Sequence, residues 1–123
     1  IPMRASTSDE AALAYHLLPI IQEILLHDPE RQGRFQVLPT FVHPRANPQT
    51  IIEYFREILP VELGCLGAVL PSRAVYENFN RDGVQLYEYA WSMQSNQRAL
   101  QAAQRAIVDV DRIADAILSH LPL

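Results

Sequence analysis

VLPTFVHPRANPQTIIEYFREILPVELGCLGAVLPSR, residues Val37–Arg73, is the stretch that decides the fold. It predicts an apolar strand, a Pro-rich turn, an amphipathic helix, a second apolar strand and another turn marked by proline. A polar loop with an arginine follows each strand, Arg45 in the first loop and Arg73 in the second. Open α/β sheets hold ligands in the loops at the carboxyl ends of their strands. The stretch therefore predicts both an α/β fold and the position of a site.

Local signals define the elements of this stretch. Residues Phe35–Val42 are rich in strand-forming side chains, although Pro39 predicts an edge position or a distortion, because proline cannot donate to a neighbouring strand. Asn47 and Pro48 predict a helix start, with asparagine as the cap and proline in the first turn. The run Leu63–Leu70 lacks internal charge, as expected of a strand that is covered on both faces.

Two longer helices are predicted on either side of the stretch. Thr7 and Glu10 have the spacing of a capping box, which predicts a helix over residues 8–27, and Pro19 predicts a kink or a break inside it. Residues 94–121 are rich in Ala, Gln and Arg and predict the longest helix. Its expected apolar face consists of Ala103, Ile107, Val110, Ala114, Ile117, Leu118 and Leu121.

Aromatic side chains are concentrated between residues 76 and 91. Within this segment, residues 84–89 predict a short strand or an extended segment packed on the sheet. Packing against the core is the simpler explanation of these aromatics. The alternative is a platform for a nucleotide base or a partner protein.

The composition is that of one globular domain, with 123 residues, 49% hydrophobic and 20% charged. The net charge of −4 argues against a generally basic nucleic-acid binder and leaves room only for a local basic patch. Cys65 is the only cysteine, so a disulfide framework is excluded, and its apolar surroundings favour a buried side chain over a nucleophile. The absence of a disulfide framework leads us to expect a cytosolic protein. No apolar run approaches the ~20 residues of a membrane span, and no signal peptide is visible.

Several kinds of chemistry find no support in the sequence. It contains no lysine, and none of its four glycines belongs to a phosphate-binding loop. The four histidines lack the spacing of metal ligands, and no serine lies in a nucleophile-elbow motif. We therefore expect neither catalytic residues nor metal ligands in this chain.

The arginines are the remaining candidates for binding. Arg45 and Arg73 lie in loops stiffened by proline, and the guanidinium group offers a rigid fork of donors that suits phosphates. If the two strands are parallel neighbours, both arginines emerge at one end of the sheet; the alternative is a pair of exposed arginines in surface salt bridges. Arg98, Arg105 and Arg112 recur every seven residues along the last helix and form either a binding stripe or a solvated face.

A set of short motifs extends along the whole chain. They are Ile1-Pro2, Thr40-Phe41, His43-Pro44-Arg45-Ala46-Asn47, Leu70-Pro71-Ser72-Arg73, Gly83 with Tyr87, and a final Ala-rich helix. In this order and spacing the chain resembles the C-terminal half of the ParA/Soj-type chromosome and plasmid partition ATPases, relatives of MinD with a deviant Walker P-loop. It departs from the family where His43 replaces an acidic residue and where Ser72 separates Pro71 from Arg73.

The resemblance implies a fold and a function. Residues 1–123 would be the C-terminal portion of a single ATPase domain, part of a three-layer α/β/α structure with a mainly parallel sheet, whose Walker A and Walker B half lies upstream. The intact domain would bind ATP and Mg²⁺, dimerise, and bind DNA without sequence preference in the nucleoid of the cytoplasm. A ParB-like protein would stimulate ATP hydrolysis.

The resemblance also assigns roles to residues. Arg45 and, less directly, Arg73 would contact DNA, whereas Thr40, Pro71 and Ser72 would lie on the adenine side of the nucleotide. The alternative is a non-enzymatic interaction domain that binds a protein through the aromatic segment 76–91 or the last helix. A flavodoxin-like domain would need a phosphate loop that this sequence equally lacks.

Overall fold

A small parallel sheet lies at the centre of the computed structural model, which describes residues 1–77 and 85–121. Its three strands are β1 (Pro2–Met3), β2 (Gln36–Pro39) and β3 (Gly64–Cys65), in the spatial order β1-β2-β3. Both strand pairs are parallel, so all three carboxyl ends meet at one edge. The chain is thus a helix-rich α/β protein with its strands in chain order.

Pro39 lies in the central strand, so the predicted edge position is wrong. Pro39 is nevertheless tolerated, because its nitrogen faces the β3 side, where β3 has already ended at Cys65. On that side its carbonyl accepts a hydrogen bond from the Leu70 N–H at 2.8 Å. On the other side the Thr40 N–H donates to the Met3 carbonyl at 2.9 Å, which continues the pairing with β1.

The first helical segment contains the interruption that Pro19 predicts. It consists of α1 (Thr7–Ala12), a π-helical turn (Leu13–Leu17) and α2 (Leu18–His27). A regular turn would press the proline ring against the carbonyl one turn earlier, and the wider π turn relieves this contact. The chain therefore accommodates Pro19 without ending the helix.

The cap of α1 lies one residue earlier than predicted. Ser6 is the N-cap, and its hydroxyl accepts a hydrogen bond from the Asp9 N–H at 3.2 Å. Asp9 in turn accepts from the Arg4 N–H at 2.8 Å. Glu10, expected in the capping box, instead accepts from the Tyr54 hydroxyl at 3.0 Å. Ser6 and Asp9 have the same spacing as Thr7 and Glu10, which explains the shifted prediction.

The predicted Asn47-Pro48 helix start is confirmed. Helix α3 (Pro48–Ile58) begins where the Asn47 side chain accepts from the Gln49 N–H at 3.0 Å. It buries Phe55 on the sheet, in a cluster with residues of β1, β2 and α2. The predicted strand 63–70 is reduced to two residues, although most of the run is buried.

A helix replaces the strand predicted over residues 84–89; residue 84, like Gly83 of the family motif, lies outside the described ranges. Helix α4 (Leu86–Ser92) packs on α5 (Gln97–Leu118). Leu86, Tyr89 and Ala90 have the spacing of a helix face and join a second buried cluster. Apolar and polar residues alternate over this short segment as they do in a strand, which explains the wrong prediction.

The apolar face predicted for the last helix is only partly buried. Ala103 is fully buried and Ile107 packs against the second cluster, as expected. Val110, Ala114, Ile117, Leu118 and Leu121 are exposed, so the prediction is wrong for them. Asp109 is buried instead, at 7% exposure. None of the helices within residues 1–77 and 85–121 has the length and apolarity needed to cross a membrane.

The burial of Val37 gives a direct test of the sheet. Val37→Ala should lower the free energy of unfolding by about 2 kcal/mol, because it removes two buried methyl groups and leaves a cavity. Val61→Ala is the matched control: Val37 is 0% and Val61 88% exposed, so the control should change stability by less than about 0.5 kcal/mol. Urea unfolding measures both effects, and equal midpoints would contradict the position of Val37 in the core.

Candidate functional site

Backbone hydrogen bonds align the two loops that follow β2 and β3. Val42 and Pro71 form a parallel bridge beyond the ends of the strands. The Ser72 N–H donates to the Val42 carbonyl at 2.8 Å, next to the bond from Leu70 to Pro39. As a result, the chain segments after both strands leave the sheet side by side at its carboxyl edge.

A cavity of about 320 Å³ lies at this edge and is called the edge cavity here. Its wall includes Thr40, Pro71 and Ser72, the three residues predicted for the adenine side of a nucleotide. Arg73 and Phe41 also line it. The volume is near the lower limit of pockets for drug-sized ligands, about 300–1,000 Å³. The edge cavity is therefore large enough for a planar ring and too small for a whole nucleoside triphosphate.

Phe41 was not predicted as a site residue, although Thr40-Phe41 is part of the family motif. Its φ is +54°, a left-handed conformation that costs a non-glycine residue about 1–3 kcal/mol. The ring is 72% exposed, and the guanidinium carbon of Arg4 lies 5.5 Å from its centroid, as in a cation–π contact. The backbone thus holds an aromatic face in solvent beside the cavity, where a planar ligand can stack on it.

Arg73 is held in place by a carboxylate on the last helix. Its Nε donates to Asp109 Oδ2 at 2.5 Å, and the Tyr76 hydroxyl donates to the same oxygen at 3.2 Å. Burial first, and then the nearby Asp109 carboxylate, raises the pKa of Tyr76 to about 12. Arg73 therefore joins the loop after β3 to α5, a role that differs from the exposed DNA contact expected of it.

This contact was not predicted from the sequence, where Asp109 is one of several charged residues of the last helix. One signal was present in the sequence: Asp109 follows Ala103 and Ala106 at three-residue intervals on one side of the helix. Ala103 and Ala106 are fully buried at 0% exposure, and Asp109, one helical turn further on, lies on the same buried side. A buried carboxylate needs a cationic or donor partner, which Arg73 and Tyr76 provide.

Arg45 lies in a tight loop between β2 and α3. The Arg45 N–H donates to His43 Nδ1 at 3.0 Å, and the Ala46 N–H donates to the His43 carbonyl at 2.9 Å. The side chain of Arg45 is exposed, and within residues 1–77 and 85–121 it forms no ion pair. The loop therefore fixes its backbone while leaving its guanidinium group available to an anion.

The edge cavity offers polar and apolar groups that suit the ring of a planar ligand. Thr40 and Ser72 offer hydroxyl groups, and Pro71 and Phe41 offer apolar surface, at one cavity. The whole sequence contains no lysine for the phosphate chain. Over the described residues, no group of three or more His, Cys, Asp or Glu side chains is placed to hold a metal ion.

No protein-family model matches the chain, and neither a curated protein nor a solved structure matches it. The resemblance to partition ATPases therefore rests on the sequence motifs alone.

The raised pKa of Tyr76 predicts a loss of stability at high pH. Because the pKa is about 12 in the folded protein and 10.0 in the unfolded chain, folding favours the neutral phenol. This contribution is complete below pH 10.0 and disappears as the pH rises to about 12. The free energy of unfolding of a Tyr76→Phe variant should fall less steeply across this window. Denaturant unfolding at several pH values measures the slope, and identical slopes would contradict the burial of the phenol.

Proposed function

We propose that this chain is the C-terminal portion of a ParA-like partition ATPase with a three-layer α/β/α fold. In the intact homodimer, ATP binding would be coupled to non-specific binding of DNA in the nucleoid, and a ParB-like partner would stimulate hydrolysis. The observation that carries the proposal is the meeting of Thr40, Pro71 and Ser72 at one cavity. Thr40 lies more than 30 positions before the adjacent Pro71 and Ser72 in the sequence, and the resemblance selected the three as one side of one ligand.

The chemistry of the edge cavity suits a purine base. Apolar surface from Pro71 and Phe41 can cover the faces of a ring, and the hydroxyl groups of Thr40 and Ser72 can donate to or accept from its edge. ATP and Mg²⁺ would contribute the transferable phosphate and the charge that stabilises it. The residues of this chain would orient the base, and the phosphate contacts would come from a P-loop outside this sequence.

The loop after β2 is the part of the edge best suited to DNA. Arg45 is exposed and without an ion pair in the described ranges, so its guanidinium group can reach a phosphate at little desolvation cost. Arg73 already binds Asp109 and is 22% exposed at its side chain. Of the two arginines, Arg45 is therefore the one proposed to contact DNA directly, while Arg73 supports the loop beside it.

Substitution of Arg45 in the intact ATPase tests the DNA contact. Arg45→Ala should weaken ATP-dependent DNA binding and reduce the slope of log affinity against log salt by about 0.9, the share of one phosphate contact. Arg34→Ala is the matched control, because Arg34 is also exposed but precedes β2 and lies at the opposite edge of the sheet. Fluorescence anisotropy over a range of salt concentrations gives both slopes. Equal effects of the two substitutions would remove Arg45 from the DNA site.

A second candidate function, a non-enzymatic interaction domain, is supported by α4. Tyr87 and Trp91 are four residues apart on this helix and are 60% and 74% exposed. Exposed aromatic side chains of this kind are enriched at protein interfaces. Nucleotide dependence distinguishes the two functions: the partition ATPase dimerises with ATP, whereas an interaction domain associates without it. Sedimentation with and without ATP is the measurement, and association that is insensitive to ATP would favour the second function.

A further inference from the structure

A second cavity, of about 270 Å³, lies between the loop after β2, the segment that follows β3 and the middle of α5. It is called the helix cavity here. Its polar lining consists of His43, Arg73, Asp109 and Arg112, and most of the rest of its wall is apolar. Two guanidinium groups thus share the cavity with a single carboxylate, which leaves an excess of positive charge.

Hydrogen-bond donors outnumber free acceptors in the helix cavity. Asp109 Oδ2 already accepts from Arg73 and Tyr76. His43 Nδ1 accepts from the backbone N–H of Arg45, so neutral His43 carries its proton on Nε2 and has a donor to offer. Arg73 uses its Nε for Asp109, and guanidinium groups have further N–H donors. A ligand in this cavity would therefore meet mainly donors.

Among the charged side chains that line this cavity, Arg112 is the one without an ion pair to a described residue. It belongs to the row Arg98, Arg105 and Arg112, and it lies three residues after Asp109, on the same side of α5. In the part of the chain that the structure describes, Arg112 forms neither an ion pair nor a side-chain hydrogen bond. Arg98 and Arg105 are exposed as well, but Arg112 is the member of the row that lines the cavity.

We propose that the helix cavity binds the phosphate group of a small molecule, with Arg112, Arg73 and His43 as donors. Guanidinium groups match the geometry of a phosphate with pairs of parallel hydrogen bonds. The cavity has a volume of about 270 Å³, which leaves room for free phosphate or a small phosphomonoester. The helix cavity shares Arg73 with the edge cavity, but Arg112 and His43 line only the helix cavity, and the proposed phosphate site does not depend on the function proposed above.

Calorimetric titration of the purified chain tests the phosphate site. The probes are inorganic phosphate and glycerol 3-phosphate, with glycerol as the uncharged control, at constant ionic strength in chloride. Both anions should bind and glycerol should not. Arg112→Ala should weaken binding about tenfold, since one charge-assisted hydrogen-bonding group is lost. Arg105→Ala removes the same charge two turns away on the same helix and should leave the affinity unchanged.

The outcomes separate this proposal from its alternatives. Failure of both anions to bind would overturn it, and so would an equal loss in the Arg112→Ala and Arg105→Ala variants, which would indicate a general charge effect. Tighter binding of glycerol 3-phosphate than of inorganic phosphate would identify a phosphomonoester site, and equal affinities would identify free phosphate. Arg45→Ala should retain phosphate binding, because Arg45 contributes only its backbone N–H to His43. A loss of DNA binding with intact phosphate binding would thus distinguish the two sites.

Discussion

The contact between Arg73 and Asp109 is the interaction on which the carboxyl edge of the molecule depends. Arg73 lines both cavities, and its position is set by a carboxylate on α5. The buried residues form two clusters, one around the sheet and one between α4, α5 and Val75. The ion pair joins the loop that leaves the first cluster to the helix of the second. Both candidate binding regions therefore lie along this joint.

An ion pair of this kind determines position more than it determines stability. The side chains of Arg73 and Asp109 are 22% and 9% exposed, so both charges lose much of their hydration on folding. The desolvation cost offsets most of the attraction, whereas removal of one partner leaves the other charge uncompensated. The Tyr76 hydroxyl completes the arrangement by donating to the same oxygen. The three side chains thereby hold the loop in one orientation relative to the helix.

Local signals in the sequence were sufficient to predict a helix whose own residues determine where it begins. They were insufficient where contacts between residues distant in the sequence determine the structure. Asn47 caps α3 as predicted, because a side chain needs only the next turn to do so. The parallel pairing of β2 and β3, on which the expected position of the two arginine loops depended, is also present. Residues 86–89 form a helix rather than a strand, because a helix places Leu86 and Tyr89 on one face, where they are buried against α5. The contact between Arg73 and Asp109 was not predicted, because the two residues lie 36 positions apart in the sequence.

The prolines of the sheet have a consequence for how copies of this protein meet. Ile1 and Met3 direct their carbonyl groups at β2, so the backbone of Pro2 faces away from β2 and presents no N–H on the outer side of β1. Pro39 lacks the same donor on the β3 side of the central strand. Unpaired strand edges are templates for intermolecular association, and proline blunts them. At Pro2, the outer side of β1 therefore offers no N–H donor to an added strand.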